Sequence, residues 1–436
     1  MLGRIRRSRA GGSAREATGR DRISALSDDL LHRILGSLDA RLAVGQCSLL
    51  SRRWRHLWAS MPRVTLFGLV SERFGSNLFL LREEAKLCAL SLHSSNDMNH
   101  FPHQRRWLRH VVSRGIRVLE ITLVTGYPFE LPDCVFNCAT LEEMIVSQST
   151  FPSVVREVVA PKSVCLPRLK KLQIHHIQLS DPSMSEKLNS GCPALEELDF
   201  SQCSLGVFKI SSDTVNTLSV TACDYSEIHV SAPNVVSLKL SVAGRVKLDA
   251  MPSLLSAWVY VSRARVNPHA AERLDFLDAL CNAQHLELFR FDLLFKDTKD
   301  KPATEFCLSL PVNDMMDQPA PEGGPTFRKL KSLYLGEWLV ADFYRPFAYF
   351  LNRAPSLATL SLDQWKLYEE NNGMIPAQLC IREKPTEKLN LPSGLSSDLE
   401  VLHLRISKGE DAGEFSTLRR ILKEKTKPRE TEIVWF

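Results

Sequence analysis

The sequence predicts an α/β protein: a small three-helix module at the N-terminal end, then an irregular solenoid in which parallel strands form a ladder with helices and loops outside. Three observations carry this. Residues 28–62 contain three short apolar periodicities at helical spacing. From residue 116 onward an apolar-x-x-apolar-x-apolar pattern keeps returning. A 44% apolar and 24% charged composition over 436 residues is that of a globular chain long enough for two or three units.

The first helix is signalled by Ser27 at a cap position, acids Asp28 and Asp29 in the first turn, and Leu30, Leu31, Ile34, Leu35 and Leu38 behind them. Leu42, Ala43, Val44, Cys47, Leu49 and Leu50 fit a second helix. Ser51 is the expected cap of a third, which carries Trp54, Leu57 and Trp58 and is stopped by Pro62. About 40 residues bury too little surface to be comfortable alone. The large apolar residues of this module must therefore pack on the rest of the chain or on another protein.

A helix is expected at 104–115, with Trp107, Leu108, Val111 and Val112 on one face and Gly115 as its stop. The repeating pattern follows as IRVLEI (116–121), LEEMIV (141–146), LKKLQI (169–174), LEELDF (195–200), VNTLSV (215–220), VVSLKL (235–240), LLSAWV (254–259), AQHLEL (283–288), LKSLYL (330–335), LATLSL (357–362) and LEVLHL (399–404). Most units start 19 to 29 residues apart, with longer gaps before 330 and 399. Such recurrence is the signature of a leucine-rich-repeat solenoid, where each unit gives one short parallel strand and a return path. Cys203 and Cys223 stand where this repeat class places asparagine or cysteine to satisfy loop backbone groups. The return paths are expected to mix helix, turn and extended chain. Residues 267–282 read as an outer helix and 296–326 as an exposed insertion. Trp338 and Trp365, at the exits of two similar repeats, are expected to pack between turns.

If the leucines of each strand point inward, the alternate residues face out from the concave sheet. Candidate target-binding residues are then Lys171, Gln173, His175, Glu197, Asp199, Thr217, Ser219, Lys239, Tyr334, Asp363, His403 and Arg405. Their mixed charge and hydroxyl content suit a polar peptide or protein surface better than a phosphate-rich one.

The remaining composition narrows the function. A net charge of +5 with interleaved signs does not favour nucleic acid as a partner. The basic stretch at 1–20 fits a flexible solvated leader, a transit peptide or a nuclear signal. No apolar run reaches the roughly 18 residues of a membrane span, so the expected location is cytoplasmic, nuclear or both. Eleven cysteines without paired CxxC spacing read as reduced thiols, and Cys134 with Cys138 is a poor metal pair. Phosphate-loop, dinucleotide, GxSxG and HExxH motifs are absent from the sequence. His175-His176 and the acid pairs Glu142-Glu143 and Glu196-Glu197 offer no shared catalytic geometry, because consecutive strand residues face opposite ways. No catalytic residue, metal site or cofactor is expected.

Residues 23–66, ISALSDDLLHRILGSLDARLAVGQCSLLSRRWRHLWASMPRVTL, resemble a plant F-box, whose L-S-[KR]-R-W-R-x-L-W ending is matched throughout Leu50–Trp58. Ser27 stands where that pattern usually has proline. The F-box followed by leucine-rich repeats, and the FBD-like ending SSDLEVLHLRISKGEDAGEFSTLRRILKEKTKPRETEIVWF with a helix expected at 413–424, resemble a common plant architecture. The resemblance implies a non-catalytic substrate-receptor subunit of an SCF-type cullin ubiquitin ligase, bound to a Skp-family adaptor and through it to the cullin and RING subunits. It assigns adaptor binding to Leu26, Leu30, Leu31, Ile34, Leu35, Leu38, Leu50, Trp54, Leu57 and Trp58. The alternative is a leucine-rich-repeat scaffold acting outside ubiquitin transfer. The expected division is a leader at 1–20, F-box at 21–66, helical connector at 67–115, solenoid at 116–379, and last repeat with FBD-like cap at 380–436.

Overall fold

The computed structural model describes residues 23, 25–82, 86–94, 101–124, 131–148, 156–157, 161–179, 181–262, 275–291, 324–338, 344–364, 399–406 and 430–435. The leader at 1–20, most of the 296–326 insertion, the 413–424 helix, Trp365 and the side chain of Trp338 lie outside them.

Helix α1 (Asp28–Ser37) turns Leu31 and Leu35 inward, both fully buried. Ser27 sits at its cap position but makes no side-chain cap hydrogen bond. Asp28 instead accepts from Arg53 Nε at 3.1 Å, which ties the start of α1 to the third helical segment. Helix α2 (Ala40–Gly45) is short and passes into a 3-10 turn at Cys47–Leu49. Helix α3 (Trp54–Ser60) begins later than the sequence suggests, and Ser51 does not cap it. The Ser51 hydroxyl is buried and has no hydrogen-bond partner among the described residues. Helices this short are held by tertiary packing rather than by propensity. Met61 is extended ahead of Pro62, which ends α3. The buried Arg82 guanidinium donates to the carbonyls of Trp58 and Met61 there, where a helix end favours a cation. Burial lowers the Arg82 pKa to about 10.

The chain then enters a parallel ladder. Its strands are β1 (Arg63–Phe67), β2 (Ala89–Ser94), β3 (Val118–Leu123), β4 (Glu143–Gln148), β6 (Lys171–His175), β8 (Glu197–Ser201), β10 (Thr217–Thr221), β12 (Ser237–Val242), β14 (Ser256–Val261), β15 (His285–Phe289), β16 (Ser332–Trp338), β17 (Thr359–Gln364), β18 (Val401–Ile406) and β19 (Glu430–Trp435). All the segments expected from the repeat pattern are in it. Register keeps the central leucines in line: Leu172, Leu198, Leu218 and Leu238 are successive partners, and all are buried.

The ladder starts earlier than Ile116. The stretch expected as a helical connector holds α4 (Glu72–Leu80) and α5 (Phe101–Ser113), but β2 lies between them and β1 begins within residues 23–66 and ends at Phe67. The apolar spacing that makes these strands was present in Met61, Val64 and Leu66 and again in Leu87, Leu90 and Leu92, all buried. One apolar core runs from Leu31 to Leu402, so the N-terminal helices are not a separate bead on a linker.

The return paths form a second parallel sheet, which repeat spacing does not reveal: β5 (Arg156–Glu157), β7 (Ile177–Gln178), β9 (Ser204–Ser211), β11 (Asp224–Ser231) and β13 (Arg245–Leu248). Elsewhere the return is helical, through α6 (Met184–Gly191) and α7 (Tyr344–Arg353). Of the helix expected at 267–282, the described part is a 3-10 segment at Asp275–Leu280. Four ladder strands are left through one left-handed residue, His176, Gln202, Ala222 or Arg290, with φ of 56°, 54°, 51° and 53°. After two of these turns the thiols of Cys203 and Cys223 reach back to the carbonyls of Ile174 and Phe200, at 3.2 and 3.4 Å. This is the backbone-satisfying role their spacing implies. Among the described residues no helix is long and apolar enough to cross a membrane.

Candidate functional site: two interaction surfaces

The N-terminal helices leave several large apolar residues exposed. On α1, Leu31 and Leu35 face the core, while Leu30 and Ile34, one position earlier in each turn, are 44% and 39% exposed. Leu42 on α2 is 41% exposed, Leu49 83% and Leu50 65%. Large apolar residues exposed on adjoining elements mark an interaction surface. The ten residues assigned to adaptor binding thus divide by burial. Leu30, Ile34 and Leu50 are open to a partner; Leu26, Leu38 and Trp58 are half-buried; Leu31, Leu35, Trp54 and Leu57 are core residues that brace the helices from inside. Leu42 and Leu49 belong with the open group. Their signal was an apolar content on the second segment larger than one buried face requires.

These helices are fixed to the ladder by Asp39. Its carboxylate caps α2 through the Arg41 N–H at 2.7 Å and accepts the Phe67 N–H of β1 at 3.1 Å. Arg41 Nη2 lies 2.8 Å from the same carboxylate and 2.6 Å from the Phe67 carbonyl. Burial pushes the Asp39 carboxyl up, but the hydrogen bonds from Arg41 and Phe67 and the Arg41 charge outweigh it and hold the group below its ordinary value.

The second surface is the ladder's outward face. Its first half is polar and largely self-paired. Lys171 and Glu197, both expected binding residues, form an ion pair at 3.0 Å across β6 and β8. Gln173, Asp199, Ser219 and Lys239 follow one another along one row of the register. Asp199 Oδ1 is shielded and takes no hydrogen bond among the described residues. Thr217 sits in the row of Lys171 and Glu197, and His175 stands at the end of β6. Next to it, His176 is pushed down by burial and then by the His175 charge.

The second half is aromatic. Tyr334 donates its hydroxyl to Asp363 Oδ2 at 2.7 Å, bringing two expected residues together. Around Tyr334 stand Phe289 at 5.2 Å between ring centroids, Trp258 at 5.3 Å from Phe289, and Tyr260 at 6.1 Å from Trp258. All four rings are half-buried. Trp258, Tyr260 and Phe289 are additions to the expected set; strand alternation through LLSAWV and the following Tyr260, and through AQHLEL and the following Phe289, places them outward, each two residues from another outward position. His403 continues the row of Tyr334 and Ser361, and Arg405 is aligned with Asp363 in the backbone register, its side chain lying outside the described residues.

Burial, then the Cys165 charge, pushes Cys192 up to about 12, and the hydrogen bond to Cys203 with burial raises Cys223 further. Among the described residues no group of three or more His, Cys, Asp and Glu is placed to hold a metal.

Two family models match the chain: the F-box domain over residues 23–66, and the leucine-rich repeats of the FBD-associated F-box protein At5g56370 over residues 104–307. Similar proteins from Arabidopsis thaliana include the F-box/LRR-repeat protein At4g14103, 27% identical over 62% of this chain and 78% of its own length. The FBD-associated F-box protein At5g56370 is 28% identical over 56% of this chain and 59% of its own length. The F-box/LRR-repeat protein At3g58980 is 29% identical over 51% of this chain and 40% of its own length. For the last two relatives, the matched region spans about half of their length. With the F-box model over its N-terminal helices and the FBD-associated leucine-rich-repeat model over much of its ladder, the chain is similar to the F-box/leucine-rich-repeat proteins.

Proposed function

We propose that this chain is the substrate-receptor subunit of an SCF-type cullin ubiquitin ligase, in the cytoplasm, the nucleus or both. Its F-box takes the Skp-family adaptor on the open residues Leu30, Ile34, Leu42, Leu49 and Leu50, and the outward face of the ladder takes a target protein. The chain does no bond chemistry; it raises the effective concentration of target lysines near the ubiquitin-loaded enzyme. The FBD-like residues 380–436 close the ladder's far end, where an open edge needs cover.

The observation that supports this most is the exposure of Leu30 on α1, whose inner face of Leu31 and Leu35 is already packed, together with that of Leu49 and Leu50 in the turn before α3. The same division selects the test. Leu30→Asp with Leu49→Asp changes only open positions, and it should abolish co-purification with a plant Skp-family adaptor while the melting curve stays unchanged. Retention of the adaptor by that variant would move the interface away from these residues, whereas a folded unaltered chain that does not take the adaptor would favour the scaffold reading, which the Ser27 start and its unmade cap keep in view.

A further inference from the structure

The outward face of β14, β15 and β16 holds an acid inside a frame of aromatic rings. Glu287 is exposed, at the centre of β15. In the register its partner on β14 is Trp258 and its partner on β16 is Tyr334. Phe289, two residues along the same strand, bridges those rings, with centroids 5.3 Å from Trp258 and 5.2 Å from Tyr334. Side chains at matched positions of neighbouring strands stand about 5 Å apart, so Glu287 has an aromatic residue at each of three adjoining outward positions.

The frame is built rather than accidental. Tyr334 is fixed by its hydroxyl bond to Asp363, and Tyr260 at the far corner by Arg290 Nη1, which donates to its hydroxyl at 2.7 Å. Gly336 makes the frame possible. A Cβ there would lie 2.7 Å from the Tyr334 ring and 2.8 Å from Phe289, so any side chain would displace both rings. The patch already attracts cations: the Arg290 guanidinium lies 5.7 Å from the centroid of Tyr260. Lys239, beside Trp258 in the same row on β12, bounds the frame on that side.

A carboxylate beside aromatic faces is the chemistry that selects a desolvated cation: the ring quadrupoles and the acid attract the same charge, and the rings cover its aliphatic stem. We infer that Trp258, Phe289, Tyr334 and Glu287 form a subsite for a cationic side chain, lysine or arginine, of an extended target segment laid across the ladder. This rests on the reading of the outward face as the target-binding surface, and it adds what the target must present there.

The test uses the full chain labelled with 5-fluorotryptophan, with the Trp258 resonance assigned by its loss in Trp258→Phe. The chain is titrated separately with N-acetyl-lysine methylamide, N-acetyl-arginine methylamide and the neutral isostere N-acetyl-norleucine methylamide. The cationic probes should shift the Trp258 resonance saturably and bind at least about tenfold more tightly than norleucine. Glu287→Gln, an exposed substitution, should remove most of that preference without changing the melting temperature. Equal response to norleucine and lysine, an unchanged preference in Glu287→Gln, or no shift with any probe would overturn the inference. Adaptor binding is not involved in this titration, so the ligase reading can fail by absent co-purification while this result stands, and the reverse.

Discussion

The carboxylate of Asp39 accepts the backbone N–H of Phe67 at 3.1 Å, so the turn between the first two helices is bonded directly to the first strand of the ladder. The N-terminal helices and the repeats are therefore packed as one unit at this junction, and the orientation of the helices relative to the ladder is set by packing rather than by a linker.

Asp39→Ala removes a helix cap and a charge-assisted bond together. It should lower stability by about 2–4 kcal/mol in a denaturant titration, given about 1 kcal/mol for a cap and 1.5–3 for a hydrogen bond to a charged group. The pH dependence has a definite sign. The folded carboxyl is held below its ordinary value, so its contribution is complete above that value and is lost as pH falls through the lower folded pKa. Asp39→Asn should flatten the acid limb of the stability curve.

Trp54→Ala should cost about 3–5 kcal/mol, because the ring is 3% exposed and packs among the module's own helices. Thermal unfolding separates this from an interface effect. A Trp54 variant that lost the adaptor with an unchanged melting temperature would put the ring at the interface instead.

Ala222 leaves β10 at φ 51°, where an L side chain costs about 1–2 kcal/mol. Ala222→Gly should therefore stabilise the ladder by about 0.5–1 kcal/mol once the added backbone freedom of glycine is subtracted. Ala222→Val should destabilise it. Both are read from denaturation midpoints at fixed slope.

Gly336→Ala places a methyl against two rings and should cost about 1–3 kcal/mol by overpacking. It should also alter the fluorescence of Trp258 through Phe289. A neutral effect on both would show that the rings have room to move.

Periodicity made the fold legible. The leucines of Leu172, Leu198, Leu218 and Leu238 announce a ladder because parallel strands in register need the same inward residue in every turn. Strands β1 and β2 were legible by the same spacing in Val64 and Leu66, Leu90 and Leu92, but helix signals around them masked it. The second sheet was hidden because its strands, such as β9 and β11, lack the repeated leucine spacing, their register shifts around Tyr225, and they follow the left-handed exits at Gln202 and Ala222. At the surfaces, sequence could select the apolar residues of α1 but not separate Leu30 from Leu31, since adjacent positions on a short helix differ only by which side the rest of the chain covers. The aromatic frame was missed at Trp258 and Phe289 because large rings in apolar strand segments read as core, although alternation placed them outward.

The most direct measurement of the central claim is binding of the full chain to a purified plant Skp-family adaptor by calorimetry, alongside the Leu30→Asp, Leu49→Asp variant. The account requires a dissociation constant near or below about a micromolar for the unaltered chain and no measurable binding for the equally stable variant. A folded chain that does not bind, or a variant that binds as well as the original, would contradict it.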